Sequence, residues 1–349
     1  MGQSPSSNSY NTSGDGLPFY QGNADFGEEN PVPRSWCTEP KMIAEKGDIL
    51  ISVRAPIGAI NIADEKCCIG RGVAAIRPNQ EVMSPDFLQH QLFASRNKLE
   101  AMGTGSTFKA IGKKTLSDFP VVIYPKNTQE AIAQQLNSIK KQIKTANSQL
   151  DQLDALVKSR FVEMFGDLDS DDSRPLKDVC SIITDGTHQP PKFVDEGIPF
   201  LFVSNIASDV VDYETNKFIS AEDYEQLIRR TPIEIGDVLV SAVGSFGHPA
   251  IVRDGRPFCF QRHIAYLKPR HNLVDSDYLH AALLSDDAQR YMDRCAKGVA
   301  QRTVTLKSFK EMKIPVPSMC LQEEFAAFVS QVDKSRFAGP ADNQDSPQI

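Results

Sequence analysis

Two stretches of the chain combine residue types suited to an anionic, phosphate-bearing ligand. In GTGSTFKAIGKK (103–114) glycines let the backbone approach a phosphate, Ser106 and Thr107 offer hydroxyl donors, and Lys109, Lys113 and Lys114 add positive charge. The competing reading is a solvated basic loop that only aids solubility. In KGVAQRTVTL (297–306) the side chains of Gln301 and Arg302 suit adenine and guanine edges, with Thr303 beside them. Arg54 and Arg71, and later Arg262 and His263, hold related places in strand-to-loop segments, while polar loops offer Ser4, Tyr10, Asn11, His188 and Asn205. His188 and His248, in proline-bearing loops, read equally as turn residues, and Phe19, Phe26, Phe200 and Phe202 as core rather than stacking platforms.

Catalytic patterns are not found. GRGVAA and GTGSTF lack the strand-turn-helix setting of a nucleotide-binding fingerprint, and no Asn/Asp-Pro-Pro-aromatic site for a flipped base occurs. Gly112-Lys113-Lys114-Thr115 only approximates a phosphate-binding ATPase loop. Glu28-Glu29 and Asp286-Asp287 are consecutive, so they point apart and suggest no nuclease metal pair. The seven cysteines, at 37, 67, 68, 180, 259, 295 and 320, form no C-x-x-C and read as reduced thiols, with no metal expected.

The elements that must position these residues follow from length and pattern. The 349 residues, 40% hydrophobic and 24% charged, fit an ordinary folded protein of two domains. Neither a leader nor the roughly 18 apolar residues of a membrane span is seen, so a cytoplasmic protein is expected. The net charge of −7 hides a bipolar order. Residues 1–65 carry four basic and nine acidic groups and 66–114 eight and three, whereas 185–237 carry four and eleven and 253–313 twelve and seven. Each acidic half is expected to face away from any polyanion, and each basic half toward it.

The acidic-then-basic order repeats because the sequence does. GDILISVRAPIG (47–58) lies on GDVLVSAVGSFG (236–247), GLPFYQGNADF (16–26) on GIPFLFVSNIA (197–207), and CCIGRGVAAIRP (67–78) on FCFQRHIAYLKP (258–269). DFLQHQLFAS (86–95) corresponds to DYLHAALLS (277–285), and KTLSDFPVVIYP (114–125) to KSFKEMKIPVP (307–317). Each copy reads as a mixed, β-rich lobe with one helical stretch. Between the copies, Ile132, Leu136, Ile139, Ile143, Ala146, Leu150, Leu153 and Val157 make a 4-3 apolar stripe, with no proline or glycine from Lys126 to Phe165. From Ile132 to Met164 a continuous helix would run about 50 Å. Its stripe needs a partner, for which LQEEFAAFVSQVDKSRFA (321–338) is suited.

The twin GD-strand-G blocks, the FPVVIYP-K-NTQEAIAQQL and KIPVP-SMCLQEEFAAF phrases and the FVEMFGD that follows the helix resemble the specificity subunit of type I restriction-modification enzymes over nearly the whole chain. The resemblance implies an α+β protein of two duplicated target-recognition domains joined by a long coiled-coil helix. The domains would span 1–125 and 175–317, the spacer helix 126–166, a linker 167–174, the start of a second spacer helix 318–338 and a disordered tail 339–349. It further implies that each lobe reads half of a bipartite site in double-stranded DNA. The stripe would dock modification subunits and, through them, restriction subunits. The chain would bind no cofactor, with S-adenosylmethionine, ATP and Mg2+ used by those partners. Against the family pattern the first copy opens about where Thr184 or Asp185 falls in the second, and the second helix stops early. Both are expected to be truncations that impair assembly. The alternatives are an inactive fragment of such a subunit, or a noncatalytic coiled-coil protein whose lobes bind protein or carbohydrate.

Overall fold

The computed structural model describes residues 1–105, 109–166, 168, 173–189, 191–298 and 301–337; Ser106, Thr107 and the expected tail 339–349 lie outside them. Two compact units result, Met1–Ala146 and Asn147–Ile349.

The first unit opens with eight short strands: β1 (Tyr10–Asn11), β2 (Leu17–Tyr20), β3 (Trp36–Cys37), β4 (Ile43–Ala44), β5 (Ile49–Ser52), β6 (Ile60–Ile62), β7 (Cys67–Ile69) and β8 (Val73–Ile76). They pair in two sheets, of order β1-β3-β2-β7-β4 and β6-β5-β8. Helices α1 (Pro85–Ala94), α2 (Arg96–Ala101) and α3 (Lys113–Ser117) follow, and then α4 (Lys126–Phe165). The second unit adds β9 (Ser173–Pro175), α5 (Leu176–Val179), β10 (Cys180–Asp185), β11 (Ile198–Leu201), β12 (Phe218–Ile219), α6 (Ala221–Leu227), β13 (Val238–Ser241), β14 (Pro249–Ile251), β15 (Cys259–Phe260) and β16 (Ile264–Pro269). It closes with α7 (Ser276–Leu284), α8 (Asp286–Cys295), α9 (Leu306–Glu311), β17 (Lys313–Pro315) and α10 (Met319–Phe337).

The repeat is visible in strand register. β2 runs parallel to β7 with Phe19 opposite Cys68, as β11 runs parallel to β15 with Phe200 opposite Cys259. Antiparallel β5 and β8 set Ile49 opposite Ile76, as β13 and β16 set Val238 opposite Leu267. ILIS and VLVS are buried at every position because both faces of these strands are covered, hence their unbroken apolar runs. Each follows a Gly-Asp turn whose glycine has positive φ, 88° at Gly47 and 93° at Gly236. The aspartate then closes the turn: Asp48 accepts the Glu45 N–H at 2.9 Å, and Asp237 the Glu234 N–H at 2.8 Å. Burial pushes the Asp48 carboxyl up, but hydrogen bonds from Arg77 and Glu45 outweigh it and leave it below its ordinary 3.8.

Helix α4 has 40 residues, about 60 Å at 1.5 Å per residue. In the first unit Ala133 is buried on α1 with Phe87, Leu88 and Leu92, and Lys140 and Lys144 pair with Glu29 and Glu28 at 3.2 and 3.1 Å. In the second unit Phe161 and Phe165 enter the core beside Tyr278 and Phe325. Helix α10 lies antiparallel to this end of α4, with Arg160 on Glu324 at 3.0 Å and Arg336 on Asp154. The stripe is buried only toward its ends. Ile132, Leu153 and Val157 are half-buried, whereas Leu136, Ile139, Ile143 and Leu150 are exposed.

Phe325 is fully buried among aromatic rings, so Phe325→Ala is expected to destabilise the second unit by about 3–5 kcal/mol, read as a lower urea midpoint. Burial also lowers the pKa of His280, on α7, and of His263 below the ordinary 6.5. As pH falls below about 6.5 the unfolded chain takes up protons that these folded imidazoles refuse, so stability decreases in that direction. Melting scans between pH 5 and 8 are expected to show this slope, flattened in His280→Gln.

Candidate nucleic-acid interface

In each unit, segments distant in sequence meet side by side. In the first, Gly2 donates its N–H to the Val73 carbonyl (2.8 Å), Val53 to Gly72 (2.9 Å) and Ile111 to Val53 (2.8 Å). Thr104 and Ala110 exchange both backbone hydrogen bonds, closing a hairpin against Arg54. In the second unit Arg262 donates to Thr187 (3.0 Å), Ala242 to His263 (2.8 Å) and Val304 to Ala242 (2.9 Å), while Lys297 and Thr303 close the matching hairpin. One edge of each lobe therefore carries four adjoining segments: 2–4, 71–72, 53–55 and the described residues 104–105 and 109–111 in the first, and 187–189, 262–263, 242–244 and the described residues 297–298 and 301–304 in the second.

Several candidate residues come together on these edges. Arg71 donates from Nε to Ser4 Oγ at 3.2 Å, and Arg54 and Lys109 are exposed on adjoining segments. Lys113 and Lys114 follow on the exposed first turn of α3. In the second unit Arg262, Gln301 and Arg302 are exposed, and the Thr303 backbone holds the hairpin. Arg302 is pinned by Asp293, whose Oδ1 accepts at 2.7 Å, and its guanidinium lies 5.2 Å from the centre of the Phe246 ring. His188 Nε2 sits 3.0 Å from Asp185 Oδ2, and Arg230 pairs with the other oxygen at 2.6 Å.

Three candidates are placed otherwise. Tyr10 packs its ring 5.2 Å from that of Phe19, and Asn11 is committed to its own turn, accepting from Ser13 and Asp15 N–H. Asn205 is buried, with its amide donating to the Asp212 and Glu214 carbonyls and accepting from Phe202 N–H, so it builds a turn instead of presenting a polar group. The charge expectation also needs correction in the second copy. Asp185, counted in the acidic half, is not turned away but stands beside His188 because the last residue of β10 leads straight into the edge.

One constellation is not legible in the sequence. His248 Nδ1 faces Asp209 Oδ1 at 3.0 Å and its Nε2 faces Ser245 Oγ at 3.2 Å. A carboxylate only accepts, so with a neutral ring Nδ1 carries the proton and Ser245 donates to Nε2. Asp209 has φ of 61°, rare for a side-chain-bearing residue, and its carbonyl faces His280 Nε2 at 3.2 Å. The order Ser-His-Asp is that of a hydrolytic triad; on this exposed hairpin tip it ties Ser245 and Phe246, the ring under Arg302, to the Asp209 turn. GSFGHP was a visible turn signal, but Asp209 lies too far away in sequence to have been paired with it.

Among the described residues no cluster of His, Cys, Asp or Glu could hold a metal ion, and no helix is long and apolar enough to cross a membrane.

Comparisons with known proteins agree with this architecture. The family model for the type I restriction modification DNA specificity domain matches residues 1–155 and again 172–338. The provisionally named type I restriction enzyme MjaX specificity subunit of Methanocaldococcus jannaschii is 43% identical over 44% of this chain and 36% of its own length. The type I restriction enzyme EcoBI specificity subunit of Escherichia coli is 22% identical over 93% of this chain and 75% of its own. The chain thus spans about a third of the first relative's length and three quarters of the second's. The crystal structure of the S subunit of a type I restriction-modification system from M. genitalium shares the fold, with TM-score 0.54, 17% identity and coverage of 96% of this chain and 86% of that one. Two matches to the family model, one per lobe, account for nearly every described element, and the chain belongs to the family of type I restriction-modification specificity proteins.

Proposed function

We propose that this chain is a noncatalytic DNA-reading subunit of a type I restriction-modification complex, in which each lobe reads one half of a bipartite site in double-stranded DNA. The observation that carries this reading is the four-segment edge, built twice on one register and lined with Arg, Lys, Gln and hydroxyl side chains. Lysines and backbone N–H groups would hold phosphates and supply salt-dependent affinity, while Gln301 and Arg302 would address base edges. Asp293 gives Arg302 a preset orientation and also a competitor: a ligand must offer a better pair of acceptors than the Asp293 carboxylate oxygen and backbone carbonyl to displace it. Discrimination is thereby sharpened against bases with a single acceptor.

The exposed stripe Leu136, Ile139, Ile143 and Leu150 is the proposed seat of modification subunits, which would bring restriction subunits with them. Methyl transfer from S-adenosylmethionine and ATP- and Mg2+-dependent cleavage would belong to those partners, in the cytoplasm.

Selection from a random duplex DNA pool by the full chain, with a modification subunit present, is expected to enrich a split motif with a fixed gap. No enrichment, or affinity nearly flat between low and physiological salt, would overturn the proposal. Arg302→Lys is expected to relax the preference at one base pair, costing about 1–3 kcal/mol there, whereas Lys109→Ala weakens all sequences alike and lowers the log–log salt slope by about 1.

A further inference from the structure

Two glutamines, Gln129 near the start of α4 and Gln322 near the start of α10, are fully buried although glutamine carries one of the more costly side chains to remove from water. Each recovers that cost in the same way. Gln129 Oε1 accepts the N–H of Ser84, the residue capping α1, at 2.8 Å, and its Nε2 donates to the carbonyls of Val82 (2.9 Å) and Tyr124 (2.7 Å). Gln322 Oε1 accepts the N–H of Asp275, the residue capping α7, at 2.9 Å, and its Nε2 donates to Leu273 (3.1 Å) and Pro317 (2.9 Å). In both copies one amide thus ties together the loop entering the lobe's main helix, the segment leaving the lobe, and the long helix that follows.

An apolar side chain could fill either place, but hydrophobic contact has no direction, whereas three hydrogen bonds to fixed backbone groups allow a single orientation of the helix on its lobe. The other polar side-chain links between α4 and the first lobe among the described residues are exposed: Lys126 on the Gln80 carbonyl, Asn137 on Asp86 and His90, Lys140 on Glu29, Lys144 on Glu28. The surface ion pairs among them contribute about 0–1 kcal/mol each. The buried amide is the directional anchor.

Direction matters because α4 continues unbroken into the second unit. Over about 60 Å of helix, a tilt of about 10° at its base displaces the far end by about 10 Å, roughly three base pairs at 3.4 Å each. We infer that Gln129 and Gln322 are positioning residues that set the gap between the two half-sites by fixing the angle at which each lobe meets its helix. The inference rests on the DNA-reading role proposed above, and its test separates the two.

The isosteric variants Gln129→Met and Gln322→Met keep the packing and remove all three hydrogen bonds at each place. Both, as full chains with a modification subunit, are challenged with a duplex library in which half-sites and gap length are randomised together. The expected result is unchanged half-site letters with discrimination against gaps one base pair off reduced about tenfold, equivalent to about 1.4 kcal/mol. A gap preference as sharp as the wild type's overturns the inference, as does a change of letters with the gap retained. A wild-type chain that selects no split motif overturns the DNA-reading role instead. The angle is then tested without DNA by the distance between spin labels at Glu65 and Gln142, in a background with Cys295 and Cys320 replaced by Ser. That distance is expected to be narrowly distributed in the wild type and broad in Gln129→Met; equal widths overturn the inference. Should the Met variant fail to melt cooperatively, Gln129→Glu at about pH 5, whose neutral carboxyl keeps the acceptor for Ser84 and one of the two donations, is expected to show intermediate broadening; a width equal to the wild type's overturns the inference.

Discussion

Everything that distinguishes the two edges hangs on a short lateral chain of backbone hydrogen bonds centred on Val53 in the first lobe and Ala242 in the second. Each gives its N–H to one neighbouring segment, Gly72 or His263, and takes an N–H from another, Ile111 or Val304. Both are buried, so these bonds are shielded from competing water. Next to these two residues Arg54 is exposed, whereas Val243 is half-buried against the core of the second unit. Two residues further along, the N–H groups of Ala55 and Gly244 donate to the Lys109 and Arg302 carbonyls and bring those residues beside the frame. The frame is constant and its outward positions are free to differ: Ser4 stands where His188 does and Lys109 where Arg302 does, while Arg71 and Arg262 agree. A fold that holds the backbone and releases the side chains suits the proposed role, in which the two copies would read different half-sites.

Charge is organised by the same frame. The bipolar order in the sequence has an internal use as well as an external one, since Glu28 and Glu29, in the acidic part of the first copy, form the seat of Lys144 and Lys140 on α4. The Gly-Asp turns show how differently two copies satisfy one demand. Asp48 is closed by the forked guanidinium of Arg77 at 2.6 and 2.7 Å, whereas Asp237 accepts from the Tyr266 hydroxyl at 2.7 Å, with Lys268 Nζ at 3.4 Å. A charge-assisted bidentate pair and a buried phenol are unlike in chemistry and alike in function. Each engages the carboxylate oxygen that closes the turn at the start of the central strand, although Asp237 Oδ1 is left without a partner.

Much of this architecture was legible in the sequence because register follows from repetition. Once GDILIS lies on GDVLVS and CCIGRGVAAIRP on FCFQRHIAYLKP, equivalent cross-strand pairs such as Ile49 with Ile76 and Val238 with Leu267 are implied. The long helix was legible from the absence of breakers and the 4-3 spacing. What the stripe did not reveal was which of its members would be covered. Periodicity marks a face, whereas burial depends on the partner, and the partner α10 meets α4 from Asp154 to Phe165, past most of the stripe. The edge was half legible: Arg54, Arg71, Lys109, Arg262 and Arg302 stand on it, but Asn205 is spent on its own turn and the Asp209–His248–Ser245 chain joins residues remote in sequence. Gln-Glu follows the exit proline in both copies, as Gln129-Glu130 and Gln322-Glu323. Its meaning needed the carbonyls of Val82 and Tyr124, which no spacing rule supplies.

The exposed middle of α4 raises a physical question that its anchored ends answer. Leu136, Ile139, Ile143 and Leu150 bury little surface here, and a helix without tertiary support is marginal in water even at favourable composition. The cost lies in nucleation, however, while propagation through Gln, Lys, Ala and Leu is close to neutral or favourable. Both ends of α4 are held inside cores, by Gln129 and Ala133 at one and by Phe161 and Phe165 at the other. Nucleation is thus supplied twice, and the intervening turns, free of glycine and proline, need only continue what the ends have begun. Stiffness and an uncovered apolar stripe then arise from the same arrangement: a segment that no longer depends on its own stripe for folding can leave that stripe open to another protein.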